Sequence, residues 1–591
     1  MYLCTKINQN HSRRGTVIAV VLVVVVILSL SALTLAKLMQ AEQRGAKYNM
    51  RQTQVRYLAE SGIDAIRVLL MYNEEDLLDL GGLYDNADEL CGVLVTDSEN
   101  MREVGRFSVI SPWLDETGMP TDVRYGLADE SAKIDLRLIW TFEQEKPGVG
   151  REVLLKLPGM DESIVDCILD WLDEDDDPRD YGAEADYYES LDVPYRPRNG
   201  MIESLDELLL IEGVTPTLLY GADWNRTGLV DLAEPDPRDF ELETDYENSE
   251  GFLDCGLYAL LTIRSAEDPN DENGSEKVNV NNDNLEELQE QLTSKLNNEE
   301  WGNYIIAYRL FGETSLYLSE ESESVDSQSS GTRGGNDSES NDNETTGNAN
   351  TNGPSGGTPD SQGEQQPTGE SGEESERSFD LTQTPRAKIF SVLDLVGGSL
   401  QVQYSGESTT ETLESPFTEL SLTELFLAGE MPTLLTAIRY NDGGCSRINL
   451  NEASRAVLMA IPGITDEAID EIIANRIPDP VELAEAEIDE MQTELWPFLL
   501  GYVDLDTMKL IAPYATVKGC VSSAQIVGRF DANSPASRLH VWFDISEKPA
   551  KIVHIQDLSN LGPGYTPEML GVNRDTQPKV FSTGNAVNAY R

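Results

Sequence analysis

An uncharged apolar run near the N-terminus constrains this chain more than any other feature. Residues 16–36 read TVIAVVLVVVVILSLSALTLA and contain no charged side chain. As a helix, this run is long enough to cross the ~30 Å hydrocarbon core of a bilayer. Lys6, Arg13 and Arg14 precede it and Lys37 follows it. The positive-inside tendency therefore predicts a cytoplasmic N-terminus and a translocated globular part. The alternative is a cleaved signal peptide, whose apolar region would be only ~7–15 residues long.

The helix is predicted to continue beyond the membrane. Residues 37–72 contain no Pro, and their apolar residues recur at helical spacing. One face carries Val55, Leu58, Ala59, Gly62, Ile66, Leu69 and Leu70. A helix of about 55 residues would be ~80 Å long. Half of it would lie in lipid and half would pack on a globular head.

The segment before the apolar run is a short polar leader that ends in Arg13-Arg14-Gly15. It resembles the leader of type IV prepilins and pseudopilins. The resemblance implies that a prepilin peptidase cleaves after Gly15 on the cytoplasmic side, so that the mature chain starts at Thr16. Most pseudopilins carry Glu as the fifth mature residue, where this chain has Val20. The K minor pseudopilin of type II secretion also lacks that Glu, and in that family its absence is associated with the filament tip.

Charge and composition exclude several classes of function. The chain has 43 Lys and Arg against 106 Asp and Glu, a formal net charge of −63. Nucleic-acid binding depends on clustered cations, so this balance argues against it. Three His residues exclude a His-rich metal site, and six scattered Cys form no CxxC pair. The chain has no GxSxG, HExxH or Walker motif, so it is predicted not to be an enzyme.

Three similar units follow the helix at residues 131–138 (SAKIDLRL), 276–283 (EKVNVNND) and 446–453 (SRINLNEA). Each combines a basic residue, a short alternating strand and polar residues that can cap a helix. Helix–turn–helix patterns with a Pro-Gly turn follow the first unit at 151–175 and the third at 454–476. The two turns are Pro158-Gly159 and Pro462-Gly463. The pattern is typical of helix-hairpin-helix-like (SAM-like) units, but the acidic residues after each turn favour a structural role over phosphate binding.

A second resemblance lies in residues 168–216 and 447–464. The ordered motifs are DWLDxD, GAExDYY, PYRPRNG and SLDELxLIxGVTP, followed by INLN and a Pro-Gly turn. Together they resemble the K minor pseudopilin family of type II secretion, the general secretion pathway protein K family. The resemblance implies an α-domain inserted in a pilin-like core. It also implies I- and J-type minor pseudopilins and the major pseudopilin as partners. This chain is longer than a typical family member.

The sequence thus predicts an α+β fold in which a pilin-like long N-terminal helix lies on a small antiparallel sheet that carries an inserted α-helical domain. Alternating Val, Ile and aromatic residues predict strands within 514–531, 538–545 and 550–558, with partners in 102–113 and 124–130. The predicted segments are a leader (1–15), a transmembrane helix (16–36), its extension (37–72), the first part of the core (73–130), the inserted α-domain (131–318), a disordered acidic Ser/Gly/Asn linker (319–378), the continuation of the α-domain (379–504, with a hairpin unit at 447–476), the C-terminal β part of the core (505–560) and a poorly ordered tail (561–591).

A calcium site is a further hypothesis. Asp173, Asp175 and Asp177 alternate, and Glu184 lies eleven residues after Asp173. This is the 1, 3, 5 and 12 spacing of a calcium loop, although Pro178 occupies the position where an EF-hand has Gly. The K-family resemblance implies that the α-domain binds calcium. A solvated acidic turn is the alternative reading. Further candidate ligands are Asp170, Asp186 and Glu189. The ion would stabilise the fold and take no part in catalysis.

Two functions remain after this reading. The first is a minor pseudopilin at the tip of the type II secretion pseudopilus that acts in the export of folded proteins across the outer membrane. It would be a single-pass protein of the bacterial inner membrane with a periplasmic head. The alternative is a membrane-anchored helix-hairpin-helix protein for DNA binding or uptake. The net charge of −63 argues against this alternative.

Overall fold

The structure is a computed structural model. It describes residues 14–115, 117–230, 234, 254–271, 274–296, 298–313, 316, 377–418, 434, 437–440, 444–486, 488–531 and 535–572. The chain divides into two compact units, one made of residues 1–279 with 423–591 and the other of residues 280–422. Of the predicted linker 319–378, all but residues 377 and 378 lie outside the described residues.

Helix α1 spans Arg14–Leu69, which is 56 residues, and confirms the predicted long N-terminal helix. Gly15 and Thr16 lie in its first turn. The apolar residues of the first half are exposed in the isolated chain, and this stretch is long and apolar enough to cross a membrane. In the second half, the predicted face is buried, including Val55 and Ile66. The sequence periodicity therefore identified the face that packs on the head.

A seven-stranded antiparallel sheet forms the core of the first unit. Its main path runs β1-β2-β13-β14-β15, with β3 paired to β2 and β4 paired to β13. The strands are β1 (Val93–Thr96), β2 (Gly105–Leu114), β3 (Pro120–Arg124), β4 (Ala128–Asp129), β13 (Val521–Phe530), β14 (Ala536–Asp544) and β15 (Lys551–Asp557). The predicted strands are confirmed. Because β4 and β13 are adjacent, everything between them is an insertion into the sheet.

Helix α1 packs across this sheet. Ile63 and Ile66 share one buried apolar cluster with Phe107, Ile526 and Val541. A Cβ at Gly528 would lie 2.3 Å from the carbonyl oxygen of Val55. The close approach of helix and strand therefore requires glycine in β13.

The C-terminal segment differs from its prediction as a tail. Tyr565 and Leu570 are buried in a cluster with Ile110 and Val527 of the sheet. Residues 561–572 thus cover one face of the sheet, because two large apolar side chains among the Gly and Pro residues are enough to anchor the segment. Residues 573–591 lie outside the described residues.

The insertion is built on three pairs of two-residue parallel strands. The pairs are β5 (Ile134–Asp135) with β6 (Leu261–Thr262), β7 (Val278–Asn279) with β10 (Ile438–Arg439), and β11 (Ile448–Asn449) with β12 (Ala515–Thr516). Each of the three similar sequence units supplies the first strand of one pair. The second strand lies more than 60 residues further along the chain, so it closes a loop that holds the helices.

The helices of the first unit are short and mostly capped by Asn, Asp, Ser or Thr side chains. They are α2 (Glu74–Asp79), α3 (Ala87–Leu90), α4 (Leu136–Glu145), α5 (Val149–Leu155), α6 (Glu162–Leu172), α7 (Ala185–Glu189), α8 (Pro216–Tyr220), α11 (Arg455–Met459), α12 (Asp466–Asn475), α13 (Pro480–Ala486), α14 (Trp496–Leu499) and α15 (Leu505–Ile511). Such caps satisfy backbone N–H groups of the first turn.

The second unit interrupts the predicted α-domain. Its described elements are α9 (Leu285–Lys295), α10 (Glu299–Phe311) and an antiparallel pair, β8 (Ser399–Val402) with β9 (Glu411–Glu414). Arg309 of α10 is buried and donates hydrogen bonds to the carbonyl oxygens of Asn281 and Asn282. The stretch predicted as one α-domain is therefore divided between two compact units. Helical periodicity shows which face of a helix is buried, but it does not show to which compact unit the helix belongs.

Candidate metal centre

The C-terminal end of α6 carries the candidate site. Asp161 caps the helix by accepting a hydrogen bond from the backbone N–H of Ile164. The apolar residues of α6 are buried and fix the rotation of the helix. Asp170 and Asp173 are three residues apart, so they lie on the same side of the helix end. The chain then forms a loop and returns at Glu184, directly before α7.

Three carboxylates meet at this point. One carboxylate oxygen each of Asp170, Asp173 and Glu184 lies within 4.8 Å of the others. The three residues are 0%, 7% and 4% exposed. The Arg179 guanidinium is their one cationic partner among the described residues: its Nη1 donates to Asp170 Oδ1 at 2.7 Å and to Asp173 Oδ2 at 2.6 Å. The cluster therefore holds three acidic groups against one cation.

Several oxygens of the cluster have no hydrogen-bond partner among the residues that the structure describes. They are Asp173 Oδ1 and both carboxylate oxygens of Glu184. A buried polar atom without a partner costs about 1–3 kcal/mol, and more when it is charged. Burial and the neighbouring carboxylates of Asp170 and Asp173 raise the pKa of Glu184 to about 7. Burial also raises the pKa values of Asp170 and Asp173, although Arg179 opposes this.

These residues fit a bound divalent cation. Calcium takes oxygen ligands at roughly 2.3–2.6 Å, so two ligands of one ion lie at most about 5 Å apart. The carboxylate oxygens already satisfy this limit. A calcium ion would give partners to the unpaired oxygens and would neutralise most of the cluster charge. Oxygen donors alone suit calcium better than a transition metal.

The structure brings together a different set from the predicted 1, 3, 5 and 12 ligands. Asp173 and Glu184 are in the cluster, together with Asp170, which was an alternative candidate. Asp175 and Asp177 are exposed and outside it. Asp175 Oδ1 instead accepts a hydrogen bond from the backbone N–H of Asp177. The loop therefore does not follow an EF-hand path. The two other candidates, Asp186 and Glu189, are also exposed.

Two residues shape the loop around the cluster. A Cβ at Gly182 would lie 1.8 Å from Asp170 Oδ2, so only glycine lets the chain pass over this carboxylate. Asn199 adopts a φ of 48° and donates a hydrogen bond to the carbonyl oxygen of Asp175 at 2.7 Å.

The role of Arg179 was missed by sequence reasoning. The sequence feature that could have identified Arg179 is that it is the one Lys or Arg between residues 172 and 195.

Neighbouring motifs meet behind the site. The indole Nε1 of Trp171 donates to Glu207 Oε1 at 3.2 Å, and Arg198 Nε donates to the same oxygen at 2.5 Å. Tyr188 packs edge-on against Trp171, with ring centroids 5.4 Å apart. Residues from four separate motifs thus support one end of α6.

The two predicted hairpin turns are present as turns between helices. Pro158-Gly159 joins α5 to α6, and Pro462-Gly463 joins α11 to α12. Gly159 and Gly463 have φ of 74° and 75°, a conformation that favours glycine. Pro158 and Gly159 are buried. Lys156 Nζ donates to the carbonyl oxygen of Ile461 at 3.4 Å, next to the second turn. The first turn and Pro462 are therefore buried, whereas Gly463 is exposed. Assignment to the helix-hairpin-helix (SAM-like) class stays a prediction.

The structure is an α+β fold with an antiparallel sheet and an inserted acidic domain, and its exposed apolar helix is consistent with a single-pass membrane anchor. Residues 149–221 match the family model described as type II secretion system (T2SS), protein K. The matched segment runs from α5 to the end of α8 and contains the whole carboxylate cluster. The predicted resemblance to the general secretion pathway protein K family is confirmed. The match covers 73 of the 591 residues and supports a component of type II secretion that acts with other components of that system. No curated protein and no solved structure matches the chain.

Proposed function

We propose that the chain is a minor pseudopilin at the tip of the type II secretion pseudopilus. After cleavage between Gly15 and Thr16 by the prepilin peptidase, α1 would hold it in the inner membrane, with the N-terminus in the cytoplasm and the head in the periplasm. During assembly, α1 would pack with I- and J-type minor pseudopilins and the major pseudopilin. The head would cap the filament that exports folded proteins.

Helix α1 carries this proposal. Its first half is apolar and exposed, and its second half is packed on an antiparallel sheet by an apolar face. One continuous helix therefore joins a membrane segment rigidly to a globular head. A continuous helix of this kind can transmit a movement along its axis from the membrane segment to the head. Val20, at the fifth mature position, is exposed and apolar, so it offers no carboxylate to a neighbouring subunit ahead of it.

We further propose that the cluster of Asp170, Asp173 and Glu184 binds calcium as a structural ion. The ion would hold the end of α6 against the start of α7. It would stabilise the inserted domain by binding the folded state alone. The residues have no role in a reaction under this proposal.

N-terminal sequencing and intact mass of the membrane-extracted chain, with and without the prepilin peptidase, test the first proposal. A mature start at Thr16 that depends on the peptidase supports it. A start at Met1 or near Lys37 contradicts it. The tip position is then tested by co-purification with the I- and J-type subunits. A complex of those subunits that assembles fully without this chain would contradict the tip role.

The DNA-binding alternative receives no support from the geometry. A hairpin that binds phosphate must present its backbone N–H groups to solvent beside cations. Pro158 and Gly159 are buried, and Lys156 is engaged with Glu152 and the carbonyl of Ile461. Gly463 of the second turn is exposed, but the exposed carboxylates of Asp466 and Glu467 follow it and would repel a phosphate.

A further inference from the structure

The part of α1 just outside the apolar run has a charge opposite to that of the rest of the chain. Residues 37–51 contain Lys37, Arg44, Lys47 and Arg51, against Glu42 as their one acidic residue. The whole chain has a net charge of −63. Lys37, Arg44 and Lys47 are exposed. A basic segment in so acidic a protein indicates a specific partner, because non-specific solubility would be served equally by acidic residues.

The four cations form a stripe along one side of the helix. At about 100° per residue, Lys37, Arg44 and Arg51 lie within about 40° of one another, and Lys47 lies within about 80° of Lys37. Glu42 lies about 140° away from Lys37, on the other side of the helix. Tyr48 is 60% exposed and lies about 20° from Lys37, at the edge of the stripe. Because Arg51 contacts the head, we restrict the name basic stripe to Lys37, Arg44, Lys47 and Tyr48.

The basic stripe continues the face of α1 that packs on the sheet. Val55 and Ile66 lie on the same side of the helix and are fully buried. Arg51 stands at the border: Nη2 donates to the carbonyl oxygen of Arg102 at 2.5 Å, and its guanidinium lies 4.2 Å from the ring centroid of Phe530. These contacts fix the direction in which the stripe points. The side of α1 that the sheet covers in the head is therefore exposed and basic in residues 37–47.

Lipid phosphates cannot cover the whole stripe. At about 1.5 Å per residue, Lys47 lies ~16 Å beyond Ala36, the last residue of the apolar run. The headgroup layer of one leaflet is only ~5–8 Å thick. Lys37 can therefore reach the headgroups, whereas Arg44 and Lys47 stand beyond them. A second copy of this chain would present the same cations and would be repelled.

We propose that the basic stripe docks a carboxylate-rich helix of a different subunit anchored in the same membrane. Lys37, Arg44 and Lys47 would pair with its acidic side chains, and Tyr48 would supply apolar contact beside them. The proposal rests on the proposed function only in taking that subunit to be a companion in pseudopilus assembly.

Zero-length carbodiimide crosslinking in isolated membranes tests this directly, because it joins a lysine amine to a carboxylate in contact with it. With the full chain, mass spectrometry should find Lys37 or Lys47 joined to Asp or Glu of another membrane-anchored protein. Substitution of both lysines by arginine should abolish the crosslink but keep co-purification, since the charge is retained. A crosslink yield at Lys37 and Lys47 no higher than at exposed Lys518 of the head would overturn the proposal.

Two triple variants with the same change in net charge separate the stripe from general electrostatics. Lys37→Gln, Arg44→Gln and Lys47→Gln should reduce co-purification of the crosslinked partner at least tenfold. Ala46→Glu, Asn49→Glu and Thr53→Glu lie on the opposite side of the helix and should leave it within twofold.

The remaining outcomes are also decisive. Co-purification that survives the stripe variant overturns the stripe proposal, whereas cleavage at Thr16 would still support the proposed function. Conversely, a stripe-dependent acidic partner in a chain that is not cleaved at Thr16 supports the stripe and contradicts the pseudopilin proposal. In vesicles that contain the full-length protein and no other protein, protection of Lys47 from amine labelling that requires anionic lipid would assign the stripe to lipid and overturn the docking proposal.

Discussion

Replacing Glu184 by Gln should have opposite effects on stability with and without calcium. In the metal-free protein, the Glu184 carboxylate is buried beside Asp170 and Asp173, and neither of its oxygens has a hydrogen-bond partner among the described residues. Gln removes the charge with almost no change of shape. In calcium, the same substitution removes a ligand. The variant should therefore be more stable than the wild type in EDTA and less stable in calcium.

The size of the effect in EDTA follows from the pKa. Burial and the neighbouring carboxylates raise the pKa of Glu184 from 4.5 to about 7 in the folded state. A difference of about 2.5 in pKa corresponds to at most about 3.4 kcal/mol. Because the folded state holds the proton more tightly, this group favours folding below pH 4.5. Its contribution falls as pH rises to about 7 and stays constant above it. The gain from Glu184→Gln should thus be near zero at pH 4.5 and reach up to about 3 kcal/mol at pH 7.5.

Calcium should stabilise the wild type by a similar amount. A ligand present at a hundred times its Kd adds about 3 kcal/mol when it binds the folded state alone. The assay is urea unfolding of the detergent-extracted full chain, followed by tryptophan fluorescence, at pH 5 and pH 7.5, in EDTA and in calcium. Trp171 is buried next to the cluster and reports on it. Hydrogen exchange of the α6 amides localises the change to the site.

The matched control is Asp186→Asn, which makes the same change of charge at an exposed position in α7. It should change the free energy of unfolding by less than about 0.5 kcal/mol in either condition. The reasoning would be refuted if Glu184→Gln had the same effect in EDTA and in calcium. It would also be refuted if Asp186→Asn reproduced the reversal of sign.

Other substitutions test the loop and the core. Gly182→Ala should abolish the calcium-dependent shift in thermal unfolding, because its Cβ would lie 1.8 Å from a carboxylate oxygen of Asp170; an unchanged shift would contradict the loop geometry. Arg179→Gln removes the cation paired with Asp170 and Asp173 and should destabilise the EDTA-treated protein by about 1–3 kcal/mol, with most of the loss restored by calcium in the same urea titration. Ile66→Ala should cost about 2–5 kcal/mol, because this side chain is fully buried between α1 and the sheet. Tyr57→Ala, on the exposed side of α1, should cost about 0.5 kcal/mol or less, and equal losses for the two would show that α1 is not packed on the sheet.

The elements that the sequence predicted well are those whose signal is local. Helix α1 follows from an apolar run without Pro and a buried face at helical spacing. Strands β13, β14 and β15 follow from alternating Val, Ile and aromatic residues. Both patterns are fixed by the geometry of the backbone within a few turns or residues. Four of the family motifs lie in one continuous stretch, residues 168–216, so they could be recognised without a structure.

The candidate site was only partly predictable. The acidic loop was identified, and Asp173 and Glu184 were placed in the ligand set. The spacing assumed an EF-hand path, which put Asp175 and Asp177 in the site. The actual path instead brings Asp170 of the preceding helix together with Asp173 and Glu184. Arg179 of the loop pairs with Asp170 and Asp173. A spacing rule applies only when the loop follows the path from which the rule was derived.

The sequence by itself determined the local elements, an apolar segment long enough to cross a membrane, the acidic loop and the family resemblance. The tertiary structure alone decided which distant segments pair as strands or pack against one another. Ile134 pairs with Leu261, and Ile448 with Ala515, through strands of only two residues. Tyr565 and Leu570 pack in one cluster with Ile110, which lies more than 400 residues earlier in the chain. Such short strands and isolated side chains have no periodicity of their own, because their stability comes from the surfaces that meet when the chain is folded.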